Sequence, residues 1–457
     1  MKAFKVMFLF VAATTLLVGC AKDDVPTTIS YEDLKAMQPR TVDFNSYFGE
    51  QAVTRSLMDN TALQASGFGV FAYFTNNTFY PGSNGGTNEN AALAPNFMYN
   101  QQVTYASSKW GYEPVKYWPN ETLNDGNGAT SESSRIGRVS FFAYAPYKSV
   151  TASTGAPATA PASGITALTT NGATGDPKVT YKTGTSLDEE DLVWAVADPS
   201  NNVTWNTVHK EGTTVQSVTV NKGMPFVNLY KPATDATIDF HFRHALAALK
   251  LTVQGAYDEA SPGSTNKIDD NTHINIEQIK ITASLPKEGV LNLNNITANT
   301  PKWEINTAAS NFEDKVFTID KDNGLLENLQ YDSSVTAVAN LKPGVGRDTS
   351  GTLITAAQEV IAAAANSNPQ YFMFIPTASA TDFTVEITYH VWTADAALAG
   401  GFAKVKNVIT KTVSLSPAGG KIYTLNMILG MTTVKLDATV ENWDTGSTTV
   451  IDLPKNQ

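Results

Sequence analysis

The sequence predicts an all-β protein built as two β-sandwich domains with a few short helices, and three observations predict it. Runs such as Phe68-Gly69-Val70-Phe71-Ala72-Tyr73-Phe74 are apolar on both faces, the pattern of a strand covered on two sides. Clusters of Gly, Pro and Asn, as at 81–86, stop those runs at turn-like positions. The chain, at 457 residues, is longer than one core usually serves, so two domains are the natural division. It contains a single cysteine, so no disulfide forms within it and its stability rests on large cores.

Residues 1–24 set the cellular address. Lys2 and Lys5 form a positive n-region, residues 6–17 an apolar h-region, and Gly19 a small residue directly before Cys20. The apolar run is shorter than the ~20 residues that a membrane span needs. The segment resembles a bacterial lipoprotein signal peptide, in which the box Leu17-Val18-Gly19-Cys20 is cut before the cysteine and the thiol takes a lipid. That resemblance implies a signal peptide over 1–19, lipidation at Cys20 and attachment to the outer membrane. Ala21-Lys22-Asp23-Asp24 is similar to the short acidic signal of surface-exposed lipoproteins, although a charged tether is also simply well solvated. The formal charge of −11 excludes nucleic acid as the expected partner, because neutralising phosphates takes clustered Lys and Arg.

In chain order, 25–55 is polar and mixed, with a weak alternation through Val42, Phe44, Tyr47 and Phe48 that predicts one strand joined loosely to the first domain. After 68–74 come the aromatic runs 97–105, 110–119 and 139–147. Asp191-Leu192-Val193-Trp194-Ala195 comes after them. Each alone signals core packing. Together and in this order, FGVFAYF, the MYNQQVTY to KYWP hairpin and SFFAYAPY resemble the fimbrillin family of Gram-negative type V pili and their accessory subunits. The resemblance covers 40–450 and implies transthyretin-like sandwiches. It also implies a protease cut after a basic residue near the start of the first domain, and assembly by strand exchange.

Residues 149–178, rich in Ala, Thr, Gly and Ser, predict a long surface loop. The stretch 238–253 resembles another family strand. His241 and His244 within it stand three apart, on opposite faces of a strand, and predict two half-buried histidines and no metal pair. The polar, turn-rich 255–267 places a boundary that divides the chain into a leader of 20–55, an N-terminal domain of 56–256 and a C-terminal domain of 257–457. Strands are predicted at 274–281, 290–293, 371–375, 383–391, 405–415, 422–427 and 434–440, and a helix at 353–365. On 383–391, Phe383, Val385, Ile387, Tyr389 and Val391 alternate with a wet face of Thr384, Glu386, Thr388 and His390. Gly419 and Gly420 suit a tight turn. Trp443, in a closing pattern that resembles the family's, is expected to cap a sandwich edge.

Chemistry is thin. No G-x-S-x-G, HExxH, Walker or CxxC motif occurs, and no thiol nucleophile occurs after residue 20. Asp320-Lys321-Asp322-Asn323-Gly324 is similar to the start of a calcium loop, but Glu327 comes too early, so a type I turn is expected. Glu189, Glu190 and Asp191 are residue types that a glycosidase uses. Being adjacent they do not face one another, and they predict a solvated loop. No catalytic residue, cofactor or metal is assigned.

The expected function is therefore structural: a stalk, tip or accessory subunit of cell-surface fimbriae, supporting adhesion. Its partners are other subunits in a homo- or hetero-polymer, the outer membrane through the lipid, and host or bacterial surface ligands. Arg55 is the preferred cleavage site, being the only Lys or Arg in 41–67. Arg40 is the runner-up, disfavoured by Pro39. Val434, Leu436, Ala438 and Val440, alternating with Lys435, Asp437 and Thr439, form the candidate donor strand. The alternative is a monomeric surface lipoprotein that stacks glycans on exposed Trp110, Trp118 and Trp205. For the anchor, Cys20→Ala is expected to leave the precursor uncut and unlipidated. Detergent phase separation checks this, with wild-type protein partitioning into the detergent phase and the variant not.

Overall fold

The computed structural model describes residues 38–48, 58–90, 92–119, 137–187, 189–208, 215–255, 272–354, 356–361, 371–377, 379–430, 434–443 and 448–451. The signal peptide, Cys20, the 21–24 signal, Arg55 and, except for Gly255, the 255–267 boundary lie outside these residues.

The largest sheet arises from the aromatic runs. It has eight strands, with β1 (Asp43–Phe48), β12 (Thr237–His244), β8 (Val193–Val196), β5 (Arg138–Ala145), β2 (Phe68–Asn76), β3 (Met98–Ala106) and β4 (Lys109–Gly111) side by side in that order. The eighth, β11 (Phe226–Leu229), pairs with β5. One face sends Val70, Ala72, Phe141, Ala143, Phe240 and Phe242 into a core that also holds Trp118. That core is closed by the hairpin of β9 (Val203–Val208) and β10 (Val215–Val220) and by α1 (Asn60–Ser66). The Asp59 carboxylate caps α1 by accepting from the Ala62 N–H at 2.7 Å, and Gly67 ends it at φ 67°.

The opposite face sends Phe71, Tyr73, Phe142, Tyr144 and Trp194 into a second core. It is covered by a four-stranded sheet ordered β16 (Lys302–Glu304), β15 (Glu288–Asn292), β7 (Lys178–Lys182) and β6 (Gly164–Leu168). Two of these strands come from each half of the chain. The surface loop expected at 149–178 thus contains a strand, whose Ile165 and Leu168 are buried.

The third core lies between two further sheets. One is ordered β18 (Gln358–Glu359), β13 (Ala247–Gly255), β22 (Lys421–Leu429), β23 (Val434–Asn442) and β24 (Thr448–Ile451), with β19 (Phe372–Phe374) also on β13. The other is ordered β17 (Phe312–Asp320), β14 (Thr272–Pro286), β20 (Thr381–Ala394) and β21 (Phe402–Leu415). All seven strands expected beyond the boundary are present. The helix expected at 353–365 is not formed in its described part. There Gln358 and Glu359 pair with β13, and Val360 and Ile361 enter the third core, so burial of β-branched side chains overrides helical composition. The one α-helix among the described residues, α1, stands where none was placed.

The stretch 238–253 is two strands, not one. The chain leaves the first sheet at Ala245 and Leu246, and β13 then pairs in parallel with β22. It therefore crosses to the second sandwich before the 256/257 boundary. Three backbone groups fix the crossing. Ala245 N–H donates to Leu192 O at 2.9 Å, Trp303 Nε1–H donates to Ala245 O at 2.8 Å, and Gly420 N–H donates to Leu246 O at 2.8 Å. Pro39–Gln457 is one compact unit. Because the shared sheet joins the halves, Leu291→Ala is expected to cost about 2–5 kcal/mol. The expected urea profile, measured by tryptophan fluorescence, keeps a single transition at lower denaturant instead of splitting in two.

Candidate functional site

The site that stands out is the seat of β1. Residues 40–42 run against 116–118: Val42 N–H donates to Lys116 O and Trp118 N–H to Arg40 O, both at 2.9 Å. The Tyr112 hydroxyl donates to Val42 O at 2.7 Å, and its pKa is pushed up to about 12, chiefly by burial. From Asp43 the chain lies parallel to β12, with Phe44 opposite Ile238 and Phe48 opposite Phe242, and β1 forms the edge of the sheet. Alternation decides which side chains enter: Val42, Phe44 and Phe48 are buried, while Asp43, Asn45 and Tyr47 face out.

Phe44 is the anchor. Its ring stacks on Phe240 (5.6 Å, 13°) and meets Phe68 and Phe141 edge-on at 6.4 and 6.0 Å. Phe48 packs at 5.1 Å on His244, the last residue of β12. On the outer face Tyr47 meets His241 edge-on at 5.1 Å, over a cleft of about 810 Å³ that Asp198, Arg243, Asn299 and Lys421 also line. Burial holds the His241 pKa below its ordinary value, against the pull of Asp198 and Asp239.

The histidines split between faces as expected, but His244 is fully buried. Its Nδ1 lies 2.9 Å from Asp191 Oδ2, and its ring stacks on Trp443 (4.1 Å, 8°). The carboxylates at 189–191 are correspondingly not a solvated loop. Glu189 accepts from Ser186 N–H at 3.2 Å, and Glu190 accepts from Ile165 N–H at 2.9 Å and pairs with Lys148. Asp191 also accepts from Met58 N–H at 3.2 Å. Each reaches a different partner, as adjacent positions dictate, and each has a structural task. These partners lie 25 or more residues away in sequence for Glu190 and Asp191, so no local signal marks them.

His390, expected on a wet face, is buried between Glu277, whose Oε2 lies 2.7 Å from its Nε2, and the Tyr331 ring stacked at 3.6 Å. Trp443 does not cap an edge: it is buried between His244 and Tyr371. Asp320 makes the expected turn, accepting from the N–H groups of Asp322 and Asn323 at 2.9 and 3.0 Å. Gly420 turns at φ 71°, also as expected. Of the three tryptophans offered for glycan stacking, two are buried and Trp110 is half-buried. Trp118 and Trp205 are buried against each other at 5.6 Å, and Trp110 packs on Phe68 at 4.9 Å.

Of the candidate assembly residues, Arg40 is mostly covered, its side chain 16% exposed and paired with Asp235 at 3.2 Å. Val434, Leu436, Ala438 and Val440 lie on β23, which pairs within the chain with β22 and β24. Val434 and Ala438 are buried there.

No family model matches the chain. Over 190 residues, 42% of the chain, it is 30% identical to the fimbrium subunit Fim1C of Phocaeicola vulgatus, and the match spans 41% of that relative's length. It superimposes on a fimbrial assembly protein from Parabacteroides distasonis over 91% of this chain and 99% of that one, at 9% identity and a TM-score of 0.35, too low to define a common fold. On a fimbrial protein from Bacteroides vulgatus it superimposes over 88% of this chain and 99% of that one, at 22% identity and a TM-score of 0.53. The chain thus has the fold of a solved fimbrial protein and is related in sequence to a fimbrium subunit, which bears out the fimbrillin resemblance carried by its aromatic strands.

Proposed function

We propose that this protein is a structural subunit of cell-surface fimbriae. It is exported as a lipoprotein anchored at Cys20, is cut after Arg55, and is assembled when a strand from another copy takes the place of β1. The observation that carries the proposal is β1 itself. It is an edge strand near the start of the chain whose removal, with the residues just before it, would uncover the Thr237–Phe242 edge of β12 and three apolar pockets, those of Val42, Phe44 and Phe48. Unpaired backbone groups beside apolar pockets are the requirements of β-augmentation. The sequence relationship to a fimbrium subunit supports the polymeric role.

Arg55 fits the cut better than Arg40. Cleavage at 40 would leave β1 on the mature chain, and Arg40 is engaged by Asp235 and by Trp118 N–H. Cleavage at 55 releases the whole strand.

The donor assignment gains support from spacing. Val42-x-Phe44-x-Ser46-x-Phe48 and Val434-x-Leu436-x-Ala438-x-Val440 align position for position, with the small Ala438 where β1 has Ser46. Lys435, Asp437 and Thr439 then fall at the outward positions of Asp43, Asn45 and Tyr47. A register one residue off would turn every apolar side chain outward.

N-terminal sequencing of surface-assembled protein is expected to begin at Ser56, and Arg55→Ala to abolish assembly. A mature chain starting at Cys20 within a polymer would overturn the mechanism. A peptide of residues 434–442 is expected to bind the cut protein but not the uncut one, and Ala438→Phe in the peptide to lower its affinity at least tenfold, about 1.4 kcal/mol. Equal binding by both peptides, measured by titration calorimetry, would remove the register.

A further inference from the structure

We propose that His244 is a positioning residue that latches the C-terminal hairpin, β23 and β24, while the leader strand is seated. The inference rests on the proposed leader removal and adds a means of regulating it.

The His244 ring contacts two aromatic neighbours from distant parts of the chain. Phe48, the last residue of β1, packs on it at 5.1 Å, and Trp443 stacks on it at 4.1 Å, nearly parallel. Trp443 comes directly after β23 and precedes the segment that leads to β24, and its N–H donates to Gly420 O at 2.9 Å. The ring therefore holds down the end of the hairpin that carries the candidate donor row.

The nearest described residues on either side of the proposed cut, Phe48 and Met58, reach the same place. Phe48 N–H donates to the Asn60 side chain at 3.2 Å, and Met58 N–H donates to Asp191 Oδ2, the oxygen that lies 2.9 Å from His244. A buried Asp–His pair is a costly way to fill a core that apolar side chains could fill as well. Its position, touching the leader strand, the residues just past the cut and the C-terminal hairpin, gives it a reason to be there.

With β1 seated, Phe48 confines the His244 ring against Trp443. With β1 gone, that side of the ring faces the vacated groove. Water then reaches the Asp191–His244 pair, and the Trp443 stack loses its backing. The segment held by the fewest contacts loosens first, which is β24 with its four paired residues, and the end of β23 loosens next. A subunit therefore frees its own donor row only after its leader has left, which suppresses polymerisation before processing. Coupling of this kind is reciprocal: a loosened hairpin also weakens the β1 seat.

Phe44 supplies the control. It lies on the same face of β1 and anchors it at least as firmly, but its ring partners are Phe68, Tyr112, Phe141 and Phe240, with none from the C-terminal hairpin. Hydrogen exchange of full-length protein separates the two. Phe48→Ala, like removal of the leader by the protease, is expected to speed exchange of the 434–442 and 448–451 amides about fivefold or more. Phe44→Ala is expected to speed exchange in β1 and to speed exchange of the hairpin by less than half as much as Phe48→Ala does. If Phe48→Ala does not fold, Phe48→Leu, which keeps an apolar side chain without the ring, is expected to show the same ordering. Hairpin exchange that is equal in the Phe44 and Phe48 variants overturns the latch. Polymer formation is scored separately on the cut protein. Polymer without faster hairpin exchange sinks the latch and spares the assembly mechanism. Faster exchange without polymer supports the latch and sinks the assembly mechanism.

Discussion

Every residue of β5 is buried, and this constraint makes the eight-stranded sheet a middle layer. Strands covered on both faces cannot turn polar residues to solvent, so the central β2, β5 and β8 are almost wholly apolar and need cover from two directions. Even the one charged residue of β5, Arg138, lies over the Phe79 ring at 4.1 Å. The N-terminal half covers one face alone with α1 and the β9–β10 hairpin. For the other face it needs β15 and β16 from the C-terminal half, with β6 and β7. The halves therefore share a sheet.

The open sheets still have edges, and the protein treats them unequally. β21, at the edge of its sheet, exposes Val405 and Val408 but carries Lys404, Lys406 and Lys411 along its length, the usual guard against edge-to-edge association. The edge of β12 is handled differently. Its core face is Ile238, Phe240, Phe242 and His244, and it is covered by β1 instead. A charge is a permanent guard. A strand at the end of the chain is a removable one.

Much of this was legible in the sequence, because strands with ordinary patterning report their surroundings directly. The two-faced burial of β2, the alternation along β20 and the weak strand at 43–48 can be read from residue order alone. The elements that escaped did so for local reasons. β17 inverts its own pattern: Lys315 points inward, donating to Thr183 O at 2.8 Å, while Val316 faces out. β6 hides in an Ala, Thr, Gly and Ser stretch because only Ile165 and Leu168 need be large. Close backbone approach there falls to Gly155, where a Cβ would collide with the Leu168 carbonyl. The Asp191–His244–Trp443 constellation was invisible for a different reason. Its members come from three distant segments, and each alone looked like a loop carboxylate, a half-buried histidine or an edge cap.

The energetics of the β1 seat bear on why processing would be needed at all. Val42, Phe44 and Phe48 each gain about 1.5–3 kcal/mol from burial, and a donor with Val, Leu and Val at those positions gains no more. The backbone ladder to β12 is the same for either strand. An incoming strand thus has no intrinsic advantage over the resident one, and the resident strand has the advantage of its tether, which keeps its local concentration near the millimolar range. Exchange against an intact leader is therefore unfavourable at ordinary subunit concentrations. Cutting the connection removes the tether without touching a single contact in the seat, and the lipidated leader is then no longer held beside its seat. In the proposed mechanism the protease changes only an effective concentration, and that change sets the direction of assembly.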